Sequence, residues 1–289
     1  MSAPPPSGRQ IAFRHGAWSA VVVEVGGAIR ELRHDGVPVL EGYGEGEMAS
    51  GGRGQPLLPW PNRMAGGRYA FRGREIQAPV NEPSTGSAIH GLTRWLNWTA
   101  ADVRPDGCTM VLRLHPQPAY PFTLDLRIDW ELSDAGLEVT LGATNAGDAA
   151  LPFGAGFHPY LTAGSPGIDA DRLTLEADAP RARDFRGGRA IGEAVVDDCY
   201  THLARDAAGL ARVRLESPAG RAVVLWLDDL WSHVMVFTGD TLAPERRRRG
   251  LAVEPMSCAP NAFNSGEGLR VLAPGESLSG RWGVALETS

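Results

Sequence analysis

Apolar and polar residues alternate strictly between positions 122 and 132. Phe122, Leu124, Leu126, Ile128, Trp130 and Leu132 are separated by Thr123, Asp125, Arg127, Asp129 and Glu131. A period of two sends one set to a dry face and the other to water, as in a half-buried strand. Ser133, Asp134, Ala135 and Gly136 then supply turn chemistry, after which Leu137, Val139, Leu141 and Ala143 resume the alternation. The two stretches predict an antiparallel hairpin. Segments 18–25, 109–114, 173–176, 213–215, 222–227, 233–237 and 279–286 are rich in β-branched or aromatic residues and predict further strands. No segment carries a sustained 3.6-residue stripe with caps at both ends, so no convincing helix is predicted. Without strand–helix alternation, Rossmann and TIM-barrel architectures are set aside. No long linker, composition break or internal repeat divides the chain. The expectation is one large, mainly antiparallel all-β domain over residues 11–289, behind a short disordered lead at 1–10.

Composition narrows the classes of function. Of 289 residues, 43% are hydrophobic and 21% charged, which is ordinary globular usage and not that of a disordered or coiled-coil chain. The formal net charge of −6 argues against a nucleic-acid partner, which calls for a basic face. No apolar run reaches transmembrane length, and the Pro-rich N-terminus lacks the apolar stretch of a signal peptide, so a cytoplasmic protein with no membrane contact is expected. Cys108, Cys199 and Cys258 are widely spaced, which predicts three free thiols and no zinc site. The run Arg246-Arg247-Arg248-Arg249 could bind an anion; like-charged runs prefer water, and a solvated loop is the expectation.

Searches for chemistry by motif mostly fail: there is no Walker loop, GxGxxG, GxSxG or HExxH. No nucleotide, metal or other cofactor is expected. What remains is a set of ionisable groups in apolar company. His90 sits in Ile89-His90-Gly91-Leu92, His158 in Phe157-His158-Pro159-Tyr160, and Glu254 in Val253-Glu254-Pro255. Burying such groups is costly unless they are paired. A lone histidine in an apolar stretch is usually a satisfied core residue, and Glu254 before proline could equally be a turn carboxylate. All three together with Pro59-Trp60-Pro61-Asn62-Arg63 shift the balance toward a site.

Those segments, taken in order with Gly26–Leu32, Val196-Asp197-Asp198-Cys199-Tyr200 and Leu272-Ala273-Pro274-Gly275-Glu276, resemble the aldose 1-epimerases, or mutarotases, of the galactose mutarotase-like group. The Pro-Trp-Pro-Asn-Arg form resembles a bacterial subgroup. The resemblance spans nearly the whole chain and implies a β-supersandwich curled around a sugar cleft. It implies His158 as general acid and Glu254 as general base. It implies Arg63, His90 and Asp197 as sugar-binding residues, with Asp198 as the one-residue alternative to Asp197. Asn62 is expected to shape the turn that presents Arg63, and Trp60 or Trp231 to offer a face to the sugar. His15, His34, His115, His202 and His233 show no partner pattern and read as surface or strand residues. Gly42–Gly54, by composition, reads as a mobile rim.

The implied reaction opens the sugar ring at C1 and recloses it on the other face. It needs an acid and a base on opposite sides of one sugar, with Glu254 ionised and His158 protonated near neutral pH. The expected partner is a small monosaccharide, and the expected assembly a monomer or homodimer. Two alternatives stand beside a free hexose. One is an anionic sugar, sulfoquinovose or a hexose 6-phosphate, for which Arg30, Arg53, Arg68 and Arg94 are available cations. The other is a carbohydrate-binding protein without turnover on the same fold.

Overall fold

Strand after strand, the alternation seen in the sequence becomes a sheet with one buried face. The computed structural model describes residues 3–178 and 183–287. The predicted hairpin is Leu124–Ser133 against Gly136–Asn145, antiparallel from Leu124 opposite Asn145 to Ser133 opposite Gly136. It lies within a nine-stranded sheet whose spatial order is Thr99–Arg104, Gly107–Leu114, Leu124–Ser133, Gly136–Asn145, Ser277–Glu287, Ala222–Leu227, Ala211–Glu216, Arg172–Leu175 and Arg189–Ala190. The strand nearest the C-terminus therefore sits in the middle, joining the two halves of the sheet.

A second sheet runs Asp197–Tyr200, His233–Phe237, Leu251–Met256, Gly156–Phe157 and Pro56–Leu57, with Tyr160–Leu161 also paired to Leu251–Met256. An aromatic cluster fills the space between the two sheets. Phe157 meets Trp130, Trp282 and Trp231 at centroid distances of 5.9, 5.2 and 5.7 Å. The pairs with Trp130 and Trp231 are edge-to-face, an arrangement that adds about 0.5–1.5 kcal/mol each beyond area burial. A four-stranded sheet of Gln10–His15, Trp18–Val23, Ile29–His34 and Val37–Pro38 covers another side. The only described helix is the single turn Ala262–Ser265. This is a mainly antiparallel all-β molecule, as expected.

Three expectations need correction. The described part of the lead is packed rather than loose: Ser7 is fully buried, its carbonyl accepts from Val25 N–H, and Arg9 pairs with Glu24 through the backbone. Residues 1–2 of that lead lie outside the described residues. The glycine-rich rim is a packed wall from Gly52 onward, because Gly54 N–H donates to the carbonyl of His158 and His158 N–H to that of Gln55. The arginine run is clamped at alternate positions. Arg248 reaches Asp169 at 2.5 Å and Asp240 at 2.9 Å, and Arg246 reaches Glu47 at 2.7 Å and Glu41 at 3.4 Å. Only Arg247 and Arg249 are left to water.

Candidate active site

The second sheet positions both Glu254 and His158. Strand Leu251–Met256 is buried at every position, and proline after Glu254 restricts that residue to extended backbone. In Gly156–Phe157, Phe157 takes the inter-sheet core, and the next residue, His158, turns toward the opposite side. The imidazole Nε2 of His158 and Oε1 of Glu254 meet at 3.2 Å, with side chains only 4% and 3% exposed. They line a hollow of about 330 Å³ together with Gly51, Gly52, Asn62, Arg63, Asn81, Glu82, Ile89, His90, Arg94, Asp197, Phe237, Thr241 and Leu242. Small-molecule sites occupy roughly 300–1,000 Å³.

Arg63 and His90 arrive on a two-stranded ribbon. Arg63–Ala65 pairs with Ser87–Ile89, placing Arg63 opposite Ile89 and His90 one step beyond. Both Asn62 and His90 adopt positive φ, 52° and 64°, and lock together: His90 N–H donates to the Asn62 carbonyl and Asn62 N–H to Nδ1 of His90 at 3.2 Å. The Asn62 side chain accepts from Arg63 N–H at 2.8 Å, so it shapes the turn that presents Arg63. The Arg63 guanidinium then bonds Glu82 at 2.6 and 3.1 Å and approaches Asp197 at 3.5 Å. Such a bidentate clamp fixes a guanidinium plane as a single contact cannot.

Strand alternation separates the two aspartates. Asp197 lies opposite Phe237, and both line the hollow; Asp198 lies opposite Val236 and does not. All five sequence-derived residues, His158, Glu254, Arg63, His90 and Asp197, therefore surround one cavity. The tryptophans do not: Trp60 packs on Phe263 and Trp231 on Phe157, both buried away from the hollow, and Phe237 supplies the aromatic surface there. Glu82, Asn81 and Thr241 were not foreseen. They sit in loops whose local sequence carries no motif.

Two further features differ from expectation. His158 and Glu254 stand side by side, not across the hollow. A ring oxygen and an anomeric hydroxyl share C1, so neighbouring groups can address both. The pKa directions of the pair also run against the expected charges. Burial, helped by the charges of Arg94 and Arg53, lowers His158 to about 3. Burial, helped by Asp197 and opposed by Arg63, raises Glu254 well above the usual carboxylate range. Both shifts favour the uncharged forms, a protonated carboxyl at Glu254 and a neutral imidazole at His158.

His90, His158 and Glu254 present ligand-type atoms within 4.8 Å of one another, close enough for a metal cage. The tautomer of His90 argues against one. Its Nδ1 lone pair accepts from Asn62 N–H, which leaves the proton on Nε2 and makes the outward nitrogen a donor. Burial, reinforced by His158, Arg94 and Arg63, pushes His90 well below the ordinary histidine value, so it stays neutral. The cysteines are no better placed as nucleophiles, since burial pushes Cys108, Cys199 and Cys258 each up to about 12.

The large antiparallel sandwich is the fold of solved structures described as galactose mutarotase-like. The aldose 1-epimerase family model matches residues 9–284, and the chain belongs to that family. Protein YihR of Escherichia coli K12 is 34% identical over 93% of this chain and 91% of its own, and protein YphB of the same organism is 28% identical over 94% and 97%. Among solved structures, the GalM/aldose epimerase homologue of C. elegans superposes with a TM-score of 0.84 at 16% identity, covering 96% of this chain and 98% of that one. Galactose 1-epimerase of Lactobacillus acidophilus NCFM gives 0.81 at 17% identity, covering 96% and 94%. Among the described residues no helix is long and apolar enough to cross a membrane.

Proposed function

We propose that this protein is an aldose 1-epimerase that interconverts the α and β anomers of a free hexose, with residues 11–289 acting as one unit in the cytoplasm. The observation that carries the reading is the 3.2 Å contact between His158 and Glu254 on the wall of a hexose-sized hollow.

The chemistry follows from one proton shared by two groups. The anomeric hydroxyl hydrogen-bonds to Glu254 and favours its carboxylate, and the carboxyl proton crosses to Nε2 of His158. His158 gives that proton to the ring oxygen as the bond from C1 to that oxygen breaks. Glu254 takes the hydroxyl proton, and C1 becomes the open aldehyde. The pair is back in its starting state. Rotation about C1–C2 and the reverse steps close the other anomer. Arg63, Asp197 and the Nε2–H of His90 hold the hydroxyls so that C1 faces the pair. The test is anomer exchange measured by two-dimensional NMR on fresh aldose. Saturable binding with no faster exchange would leave only a carbohydrate-binding protein.

A second reading, an anionic sugar such as sulfoquinovose or a hexose 6-phosphate, is favoured by Arg94. Its guanidinium lines the hollow and makes no ion pair among the described residues. Of the other candidate cations, Arg30 lines a separate surface hollow, Arg53 lies behind Tyr160, and Arg68 is held by Gln77. Comparing kcat/KM for glucose, galactose, glucose 6-phosphate and sulfoquinovose decides between the readings. A preference for the charged sugars that disappears in Arg94→Met selects the second.

A further inference from the structure

Arg53 is 1% exposed, yet few partners hold its charge. Its Nη1 donates to the Ser50 carbonyl at 3.1 Å and approaches the Ser50 hydroxyl at 3.4 Å; among the described residues Nε and Nη2 make no hydrogen bond. The nearest carboxylate, Glu41, stands 3.7 Å away and is itself shared with Arg246. Burying a cation this loosely paired costs stability, so a compensating purpose is worth seeking. The guanidinium carbon lies 4.3 Å from the centre of the Tyr160 ring. Tyr160 also stacks on His158, with centroids 4.9 Å apart and planes within 11°. Guanidinium, phenol and imidazole are therefore linked by successive buried contacts that reach the residue meeting Glu254.

The surrounding backbone holds this stack closed. Tyr160 donates its hydroxyl proton to the Gly51 carbonyl at 2.8 Å. A side chain at Gly52 would put its Cβ 2.5 Å from Cδ2 of His158. The loop carrying Arg53 is thus pressed against both rings.

We propose that Arg53 is a positioning residue for the acid–base pair, acting through Tyr160 to keep the His158 ring in line with Glu254. It touches neither Glu254 nor the hollow. Its flat guanidinium backs the phenol by cation–π contact, and the phenol in turn backs the imidazole. Its charge also reaches His158, where it adds to the positive field of Arg94 and to burial in disfavouring the imidazolium. The other ionisable groups facing His158 are Glu254, His90 and Tyr160. Those facing Arg53 are Tyr160, Glu41, Arg246, Glu47 and Tyr43.

The inference rests on the proposed acid–base roles, so its test has one arm that needs no turnover. In unliganded protein, the ¹⁵N ring shifts of His158, assigned by comparison with His158→Asn, are followed against pH in wild type, Arg53→Met and Arg53→Lys. Arg53→Met should change the ring shifts and move the titration up toward 6.5, the ordinary histidine value. Arg53→Lys keeps the charge without the plane; it should leave the midpoint low but still alter the shifts. In the kinetic arm, both variants should lose kcat with KM little changed, Arg53→Met by up to about 10²-fold, the typical cost of a misplacement near 1 Å. In a Tyr160→Leu background, Arg53→Lys should have no further effect on the His158 shifts. His158 shifts and titration unchanged in both Arg53 variants would overturn the inference. So would an undiminished effect of Arg53→Lys without Tyr160, which also serves if Arg53→Met does not fold. A wild-type protein that fails to catalyse anomer exchange refutes the functional reading instead and leaves the spectroscopic result standing.

Discussion

The backbone N–H of Asn62 points at Nδ1 of His90 from 3.2 Å, and this contact decides where the His90 proton sits. With its lone pair occupied, His90 offers the hollow a neutral N–H donor. Replacing it by Phe removes that donor. One neutral hydrogen bond is worth about 0.5–1.5 kcal/mol, so kcat/KM should fall by up to about tenfold. His90→Asn suits the positive φ of 64° and keeps an N–H, and should lose less. Steady-state kinetics of the two variants check the order; a greater loss in the Asn variant contradicts it.

Removing the proton-handling carboxyl should affect rate and stability in opposite directions. Glu254→Gln is expected to lower kcat by about 10²–10⁴-fold. The raised value of Glu254 in the folded protein means that its ionisation favours unfolding. Its contribution is most favourable below the free carboxyl value of 4.5 and is lost as pH rises. The Gln variant should therefore melt at higher temperature than wild type at pH 7, through a gain of about 0.5–2 kcal/mol, the size common for relieving a functional cost. Calorimetry reads this directly, and a lower melting temperature would speak against the assignment.

The pH profile distinguishes this pair from a freely titrating imidazole. In the proposed mechanism the active form carries one proton on the pair. Adding a second proton to His158 requires acid near 3, and losing the first from Glu254 requires base well above 4.5. Background-corrected kcat/KM should stay level as pH falls through 6.5, the value of an unperturbed histidine. A half-maximal rate at that pH would sink the protonation scheme. For stability the sign is opposite to Glu254: with its value depressed, His158 favours unfolding increasingly as pH falls below 6.5.

Arg63 acts with its clamp. Glu82→Gln keeps the shape but weakens the charge-assisted bonds, worth about 1.5–3 kcal/mol each at full strength. The expected outcome is a raised KM with kcat less affected, since a loosened guanidinium binds hydroxyls less well in ground and transition states alike. Titration of sugar binding by NMR provides the check; unchanged affinity would make Glu82 a bystander.

Gly52→Ala tests how tightly the wall is packed. The residue has φ of 74°, and a new Cβ would meet His158 at 2.5 Å. Overpacking of this sort typically costs about 1–3 kcal/mol, and the displaced ring should lose rate as well. Full activity with normal stability would show that the loop has room to move.

The parts visible in the sequence are those with a solvent face. Leu124–Ser133 and Gly136–Asn145 announce themselves because every second side chain meets water. Leu251–Met256, which carries Glu254, is buried on both faces and contains a proline, so it shows no alternation and reads as a possible turn. Its importance came from resemblance, not periodicity. Asp197 and Asp198 could not be separated until strand pairing placed one against Phe237. Glu82 was invisible because its partner, Arg63, lies across a loop whose path no local pattern dictates. The burial that pushes His158 down and Glu254 up has no local signal either, because it is a property of the assembled sheets.

Strand Ser277–Glu287 lies between Gly136–Asn145 and Ala222–Leu227, and this has a consequence for biosynthesis. A ribosome must emit all the residues before 277 while the two flanking strands keep unpaired edges. Chains stalled short of it should stay protease-sensitive along both borders, and the two halves of the large sheet can join only once this keystone has emerged.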